Sequence, residues 1–351
     1  MLGQKTSLDD FHFFQRLVSI SKPTHSQTHA RLQMRDVRHL EYLVFSSAGS
    51  HGFLYEGVLQ ALEDNVPGWL ATVRGVAGTS AGAIAALEVA LAMNRTQRET
   101  MLMCLSDMSH ILRHADMTLL LHHYGLDDGT GLRQLVGEIL TAGGLSALTT
   151  MSDLRRLLKV DVVFVAHDLL KCMPVHLSCA TTPEMLVVDA VFASCSLPFI
   201  FTPFRFGSTL LCDGALSERV PDVFAESSTL FVVVPSNTAA VAVTSWRDMM
   251  LCFKNLCIAS QQQRLARLLG LPNTICAFHP YLHQVPILDM HMDTRRAMTM
   301  LHLGYAIGIA YLYDTISHVL DDAVHKYVDA ITLGTASSPE SEDECGADRD
   351  G

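Results

Sequence analysis

The 351-residue chain is short of charge: Asp, Glu, Lys and Arg make up 17% of it, against 49% apolar residues. That balance excludes intrinsic disorder, collagen and coiled coil for the chain as a whole, and the length predicts one large folded domain or two small ones. Basic residues are the scarcer sign, 25 against 36 acids, for a net charge of -11. About half of the acidic excess sits in residues 334–351, where Glu340, Glu342, Asp343, Glu344, Asp348 and Asp350 face Arg349 alone. The remainder lacks the basic face that neutralises phosphates, which argues against a nucleic-acid partner. No C-x-x-C pair occurs among Cys104, Cys172, Cys179, Cys195, Cys212, Cys252, Cys257, Cys276 and Cys345. Their odd number and their apolar surroundings predict reduced, mostly buried thiols. No window approaches the roughly 18 apolar residues of a membrane span, and Asp9 and Asp10 stand where a secretory signal needs an apolar core. An intracellular, cytoplasmic protein is therefore expected.

What is present is alternation. From Glu41 onward, strand-like runs (Tyr42 to Phe45, Val73 to Val76, Val160 to Val165, Leu186 to Val188, Leu210 to Cys212, Leu230 to Val234) are separated by helical patterns. This predicts a three-layer α/β domain whose mainly parallel sheet lies between helices. Residues 97–158 read as helical with a Gly/Asp-rich break from Gly125 to Gly131, Met101 to Met117 being core rather than lipid contact. Residues 246–270 and 294–328 read as two further helices, the second capped by Asp293 or Thr294 and packed on the sheet. The expected organisation is an N-terminal extension over 1–40, a catalytic domain over 41–330 with sheet and site in 41–235 and a helical part in 246–330, and a disordered acidic tail over 334–351.

The chemistry starts where Val73 to Val76 runs into Gly78-Thr79-Ser80-Ala81-Gly82, followed by a helix rich in small residues. G-x-S-x-G between a strand and a helix places a serine on a sharp turn with its hydroxyl exposed, and side chains larger than Gly78 and Gly82 would clash there. The helix also aims its N-terminal amides toward charge developing near Ser80. A candidate acid, Asp213, follows Thr209 to Cys212 and precedes Gly214-Ala215. The usual third member, a downstream histidine, has no clear claimant among His279, His283, His291 and His302, although His279 follows the strand-like run Ile275 to Phe278. His110, His114, His122 and His123 are spaced as zinc ligands can be, but lack a Cys or Glu to complete a set and read as solvated. His167-Asp168 lies on a strand, where adjacent residues face opposite ways, and reads as structural.

With the elbow and the Asp-Gly-Ala turn placed, the chain resembles the patatin-like phospholipases, a family of serine lipid acyl hydrolases. The blocks that carry the resemblance are Leu43 to Gly52 with Gly57-Val58-Leu59, then Gly78 to Gly82, then Ala193-Ser194-Cys195-Ser196-Leu197-Pro198 with Phe201 to Phe204, and finally Asp213-Gly214-Ala215 with Pro221. Weaker similarity passes through Val165 to Leu169 and Gly304-Tyr305, so that it extends over roughly residues 41–312. The resemblance implies a calcium-independent Ser-Asp dyad: Ser80 attacks an ester carbonyl, Asp213 accepts its proton, and no metal or other cofactor takes part. A phospholipid or other acyl-lipid substrate and peripheral membrane contact are implied as well. A lone carboxylate is a feeble base unless burial raises its pKa.

The chain departs from the family at the oxyanion loop. Where the family reads Gly-Gly-Gly-x-Arg-Gly, here stand Ser47, Ala48, Gly49, Ser50, His51 and Gly52. Gly49 and Gly52 survive, and backbone amides need no particular side chain to hold an oxyanion. The arginine is replaced by His51, a donor only when protonated or suitably tautomeric. Two other readings follow: another serine esterase or acyltransferase on the same scaffold, or a catalytically weak lipid-binding module.

Overall fold

The computed structural model of the chain describes residues 34–106, 108–235, 259–279 and 292–314, and the isolated positions 249, 252, 255, 257 and 282. The acidic tail, most of the N-terminal extension, His283 and His291 lie outside the described residues. Strands β1 (Tyr42–Phe45), β2 (Gly75–Thr79), β3 (Gly125–Asp127), β4 (Asp161–Asp168), β5 (Met173–Ser178), β6 (Phe199–Phe201), β7 (Phe204–Phe206), β8 (Thr209–Asp213), β9 (Thr229–Val233) and β10 (Thr274–Cys276) are interspersed with helices. These are α1 (Phe53–Asn65), α2 (Ala81–Ala90), α3 (Arg95–Ser106), α4 (Met108–Ile111), α5 (Met117–His123), α6 (Thr130–Ala142), α7 (Met151–Leu158), α8 (Val187–Cys195), α9 (Gln262–Leu269) and α10 (Thr294–Tyr313).

Parallel pairing orders the sheet β10-β9-β1-β2-β4, and β5, β8 and β7 extend it in antiparallel fashion. Apolar residues pointing to both faces are buried: Leu43, Val76, Leu230 and Val232 on one side, Val44, Ala77, Phe231 and Val233 on the other. A parallel sheet covered by helices on both faces demands such continuous runs. The second of these faces is covered by α9 through Leu265 and Leu268. Helix α10 lies against α1 at backbone distance, since a Cβ on Gly57 would stand 1.8 Å from the Leu301 carbonyl oxygen and one on Gly304 would stand 2.0 Å from that of Leu54.

The arrangement that positions the site is on one edge of β4. Strand β5 pairs with β4 from Val163 to Asp168, so β2 and β8 share the opposite edge. Parallel β2 ends at Thr79 opposite Val165, and antiparallel β8 ends at Asp213 opposite Ala166. Two strands far apart in sequence thus meet end to end at adjacent residues of β4.

Several expectations are corrected. Leu186 to Val188 is not a strand: Leu186 makes one bridge to Thr150 and then caps α8, a helix buried almost throughout, whose apolar run carries no period to separate it from a strand. The elbow strand begins at Gly75 rather than Val73, because residues 70–72 form a 3-10 turn. The helix read over 246–270 is broken at Ser260-Gln261, where the Gln261 side chain is drawn to the Arg219 amide and the Ala215 carbonyl. Strand β10 lies within the part read as helical. Helix α10 starts at its expected cap, Asp293, which accepts from the Arg296 amide, and runs to Tyr313 with Asp314 in a left-handed conformation; residues 315–328 of the expected helix lie outside the described residues. Residues 34–40 are not extension: Val37 and Leu40 are buried, and Arg35 bonds to the Leu312 carbonyl and the Asp314 carboxylate. The eight described cysteines are free thiols, as expected, but only Cys195 and Cys212 are buried; Cys172 sits in the β4–β5 turn and Cys276 on an edge strand. Finally, Met101 to Met117 is not uniformly core, for Leu102 is buried while Met117 is 62% exposed.

Candidate active site

Ser80 follows β2 and caps α2 with φ 57 and ψ -127, a backbone region that side chains other than glycine rarely adopt. Its neighbours explain why the turn closes. A Cβ on Gly78 would stand 2.0 Å from the Gly82 carbonyl oxygen, and one on Gly82 would stand 2.4 Å from that of Ser46. The strain is held by a side chain: Ser194 on α8 accepts from the Ser80 amide (3.0 Å) and donates to the Val165 carbonyl of β4 (2.6 Å). The serine of the Ala193 to Pro198 block is thus a brace between elbow and sheet.

Asp213 is fully buried, and the end-to-end meeting of β2 and β8 brings it to Ser80: Oγ donates to Asp213 Oδ2 at 2.7 Å. The Ala215 amide donates to Oδ1 at 2.8 Å, and the Asp213 amide donates to the Ser196 carbonyl at 2.9 Å. Burial pushes the carboxyl up to about 6, against the opposing pull of the Ala215 amide, the Ser80 hydroxyl and the Arg219 charge. A carboxyl near 6 is ionised at neutral pH yet basic enough to take a proton in a transition state, which is the condition a lone carboxylate base would need. Among the described residues no imidazole hydrogen-bonds to Ser80 or Asp213. His279 is buried, and burial lowers His302 to about 4.

The altered loop follows β1. Ser46 is buried and bonded through its hydroxyl to Tyr55 (3.0 Å) and to the Val234 amide (3.0 Å). Ala48 leads into a 3-10 turn over Gly49–Gly52, with Gly49 at φ 55 and the His51 amide donating to the Ala48 carbonyl. Ser50 is half-buried and His51 buried. A Cβ on Gly52 would stand 2.9 Å from that of Ala81, so the loop abuts the residue after the serine.

A residue that sequence reasoning missed is Arg219, six positions past Asp213. It is 5% exposed, and its guanidinium donates from Nε to Ser47 Oγ (2.9 Å) and from Nη2 to the carbonyls of Ser47 (3.2 Å) and Val234 (3.3 Å). Nothing in the local pattern distinguishes it from a surface arginine. His167 bonds Ser217 and Asp168 accepts from the Leu170 amide, so this pair is structural in its contacts. His110, His114, His122 and His123 are exposed, and no group of three potential metal ligands occurs among the described residues.

The family described as patatin-like phospholipase matches residues 43–221, just over half of the chain and every block of the site. No curated protein matches. Among solved structures the chain is similar to VipD from Legionella pneumophila, at 15% identity over 92% of this chain and 80% of that one, with a TM-score of 0.49. It is also similar to full-length ExoU, solved with SpcU from the type III secretion system of Pseudomonas aeruginosa, at 15% identity over 91% and 69% of the two chains and a TM-score of 0.39. By the extent of the family match, the chain belongs to the patatin-like phospholipases.

Proposed function

We propose that the protein hydrolyses fatty-acyl esters of glycerophospholipids or lysophospholipids, with Ser80 as nucleophile and Asp213 as base. The observation that carries this reading is the 2.7 Å hydrogen bond from Ser80 Oγ to the buried Asp213 carboxylate. Ser80 Oγ attacks the ester carbonyl carbon as its proton passes to Asp213, and the oxyanion is held by amides of the Ala48–Gly52 loop with Ser50 and His51 at its turn. When the tetrahedral centre collapses, the carbon–oxygen bond to the glycerol breaks and Asp213 returns the proton to the leaving oxygen. Water then attacks the acyl-enzyme by the same route in reverse, giving free fatty acid and restoring both groups. Every step uses the chain's own side chains and amides, so activity is expected to persist in chelator.

A strained serine and a buried carboxylate are both unfavourable features for a mere binding module, and their coincidence supports catalysis over that alternative. The test is a fluorophosphonate probe: it labels the wild type and not Ser80→Ala, and product analysis on defined phospholipids separates hydrolysis from acyl transfer. Equal labelling of the two proteins refutes the reading.

Contact with the lipid surface is peripheral in this reading. No described helix is long and apolar enough to cross a membrane. Met117, Leu121 and Tyr124, 62%, 73% and 66% exposed, supply apolar side chains around α5, whose neighbour β3 pairs with β6 of the Ala193 to Phe204 region. Co-sedimentation with liposomes is expected to survive moderate salt, because polybasic attraction is not what drives it.

A further inference from the structure

Residues 218 and 219 join three parts of the site that are distant in sequence. The Ser47 amide donates to the Arg219 carbonyl at 2.7 Å, the Thr79 hydroxyl, next to Ser80, donates to the Glu218 carbonyl at 3.0 Å, and the Gln261 side chain accepts from the Arg219 amide at 2.6 Å. The Arg219 guanidinium then closes on the start of the glycine-rich loop through Ser47 Oγ and the Ser47 carbonyl. All of its hydrogen bonds go to uncharged oxygens, and Nη1 is buried with no partner among the described residues. A buried cation left this incompletely satisfied calls for an explanation beyond packing.

We infer that Arg219 is a positioning residue of the reaction, which fixes the glycine-rich loop relative to Ser80 and sets a buried positive charge whose field reaches the Asp213 carboxylate. The inference rests on the Ser80–Asp213 reading and adds to it a residue outside the loop that carries the family's arginine. The geometry is supported by the charge balance. Around Asp213 stand Cys195, Cys212 and Cys257, whose thiols are pushed up by burial and then by the Asp213 charge and so stay neutral. Tyr55, which shares the field of Arg219, is pushed up by burial and is neutral too. Arg219 is the charged group that pulls the carboxyl down. Without it, the proton binds Asp213 more tightly and the base is lost at a higher pH.

The test is the pH profile of kcat/KM on a soluble short-chain nitrophenyl ester, for wild type, Arg219→Gln, Arg219→Lys and Ser47→Ala. In the wild type, activity rises as pH rises through about 6. Arg219→Gln is expected to move that limb upward by about one unit and to lower the plateau. Arg219→Lys keeps the limb in place and still lowers the plateau, because an ammonium cannot span the guanidinium's three acceptors. Ser47→Ala, which removes one bond and no charge, lowers the plateau alone. A folded Arg219→Gln with an unmoved limb overturns the inference, since a merely structural arginine would lower thermal stability without moving the profile. Should that variant fail to fold, wild-type plateaus in both Arg219→Lys and Ser47→Ala overturn it equally. Fluorophosphonate labelling of the same samples separates the two levels: an unlabelled wild type refutes the Ser80 reading itself, whereas a labelled wild type with an unmoved Arg219→Gln limb refutes only the part given to Arg219.

Discussion

Arg98 and Arg219 are almost equally buried, at 2% and 5% exposure, yet their surroundings are opposite. Arg98 on α3 is saturated: Nε bonds Glu56 at 2.6 Å, Nη2 bonds Glu63 at 2.8 Å, and Nη1 donates to the Met93 carbonyl. It ties α3 to α1, the helix that leaves the glycine loop, and these carboxylates hold its guanidinium well above the ordinary range against the effect of burial. Arg219 has no carboxylate in hydrogen-bond contact, and burial lowers it. The contrast teaches that burial alone does not tell a structural charge from a functional one; compensation does. Where the fold needs a clamp, the charge is neutralised on the spot. At the site, part of the field is left available to Asp213 and whatever binds there.

The comparison breaks most visibly in activity. Asp213→Asn keeps the shape of the site and is expected to reduce turnover by about 10² to 10⁴, the range for a removed general base, with a folded protein by circular dichroism. A stability scale comes next. Arg98→Met strands Glu56 as an uncompensated buried charge and is expected to destabilise by about 3–5 kcal/mol in urea unfolding, whereas Arg219→Met, which strands no bonded carboxylate, destabilises less. Equal losses would erase the distinction between the two arginines.

Glu88 sharpens it further. Beside the Arg98 cluster, burial and then the Glu56 charge push its carboxyl up to about 8, with Arg98 pulling the other way. The folded state therefore holds a proton that the unfolded state releases above the ordinary 4.5, so stability declines as pH rises toward 8 and levels off beyond it. Glu88→Gln removes the decline. Its advantage over wild type is expected to grow between about pH 6.5 and about pH 8, by on the order of a kcal/mol or more, above the range in which Asp213 titrates. The smallest expected effect is that of His279→Ala, which retains most activity because the dyad's hydrogen bonds are made without an imidazole. Loss as complete as that of Ser80→Ala would restore a triad.

The elements legible in the sequence are those whose cause is local. Gly78 announces the elbow because the clash it avoids, with the Gly82 carbonyl, lies within five residues of chain, and β1 appears at its expected bounds because Tyr42 to Phe45 is a bounded apolar run. Asp213 was legible through its turn, since Gly214-Ala215 leaves the space that a strand end needs. What was hidden depends on partners far along the chain. Helix α8 looks like a strand because a helix buried almost all round has no polar face to reveal its period. The brace made by Ser194 and the clamp made by Arg219 become visible only when β4, β8 and the loop after β1 lie side by side. The break before α9 has the same origin, for the Gln261 side chain, besides reaching the Cys257 carbonyl, bonds residues 215 and 219.

The end-to-end meeting of β2 and β8 on β4 also sets a timetable. Ser80 and Asp213 are 133 positions apart, and β1 pairs with β9 as well as with β2. During synthesis the elbow, β1, β2 and β4 all leave the ribosome before the strands that complete them. A nascent chain that has reached residue 206 holds Ser80 without the carboxylate it bonds and two sheet edges with no neighbour. Such edges invite other strands, so this stretch of translation is where misassembly concentrates. The Ser80–Asp213 contact therefore forms late, when residues 209–233 insert and supply Asp213, the Arg219 clamp and the β9 pairing together.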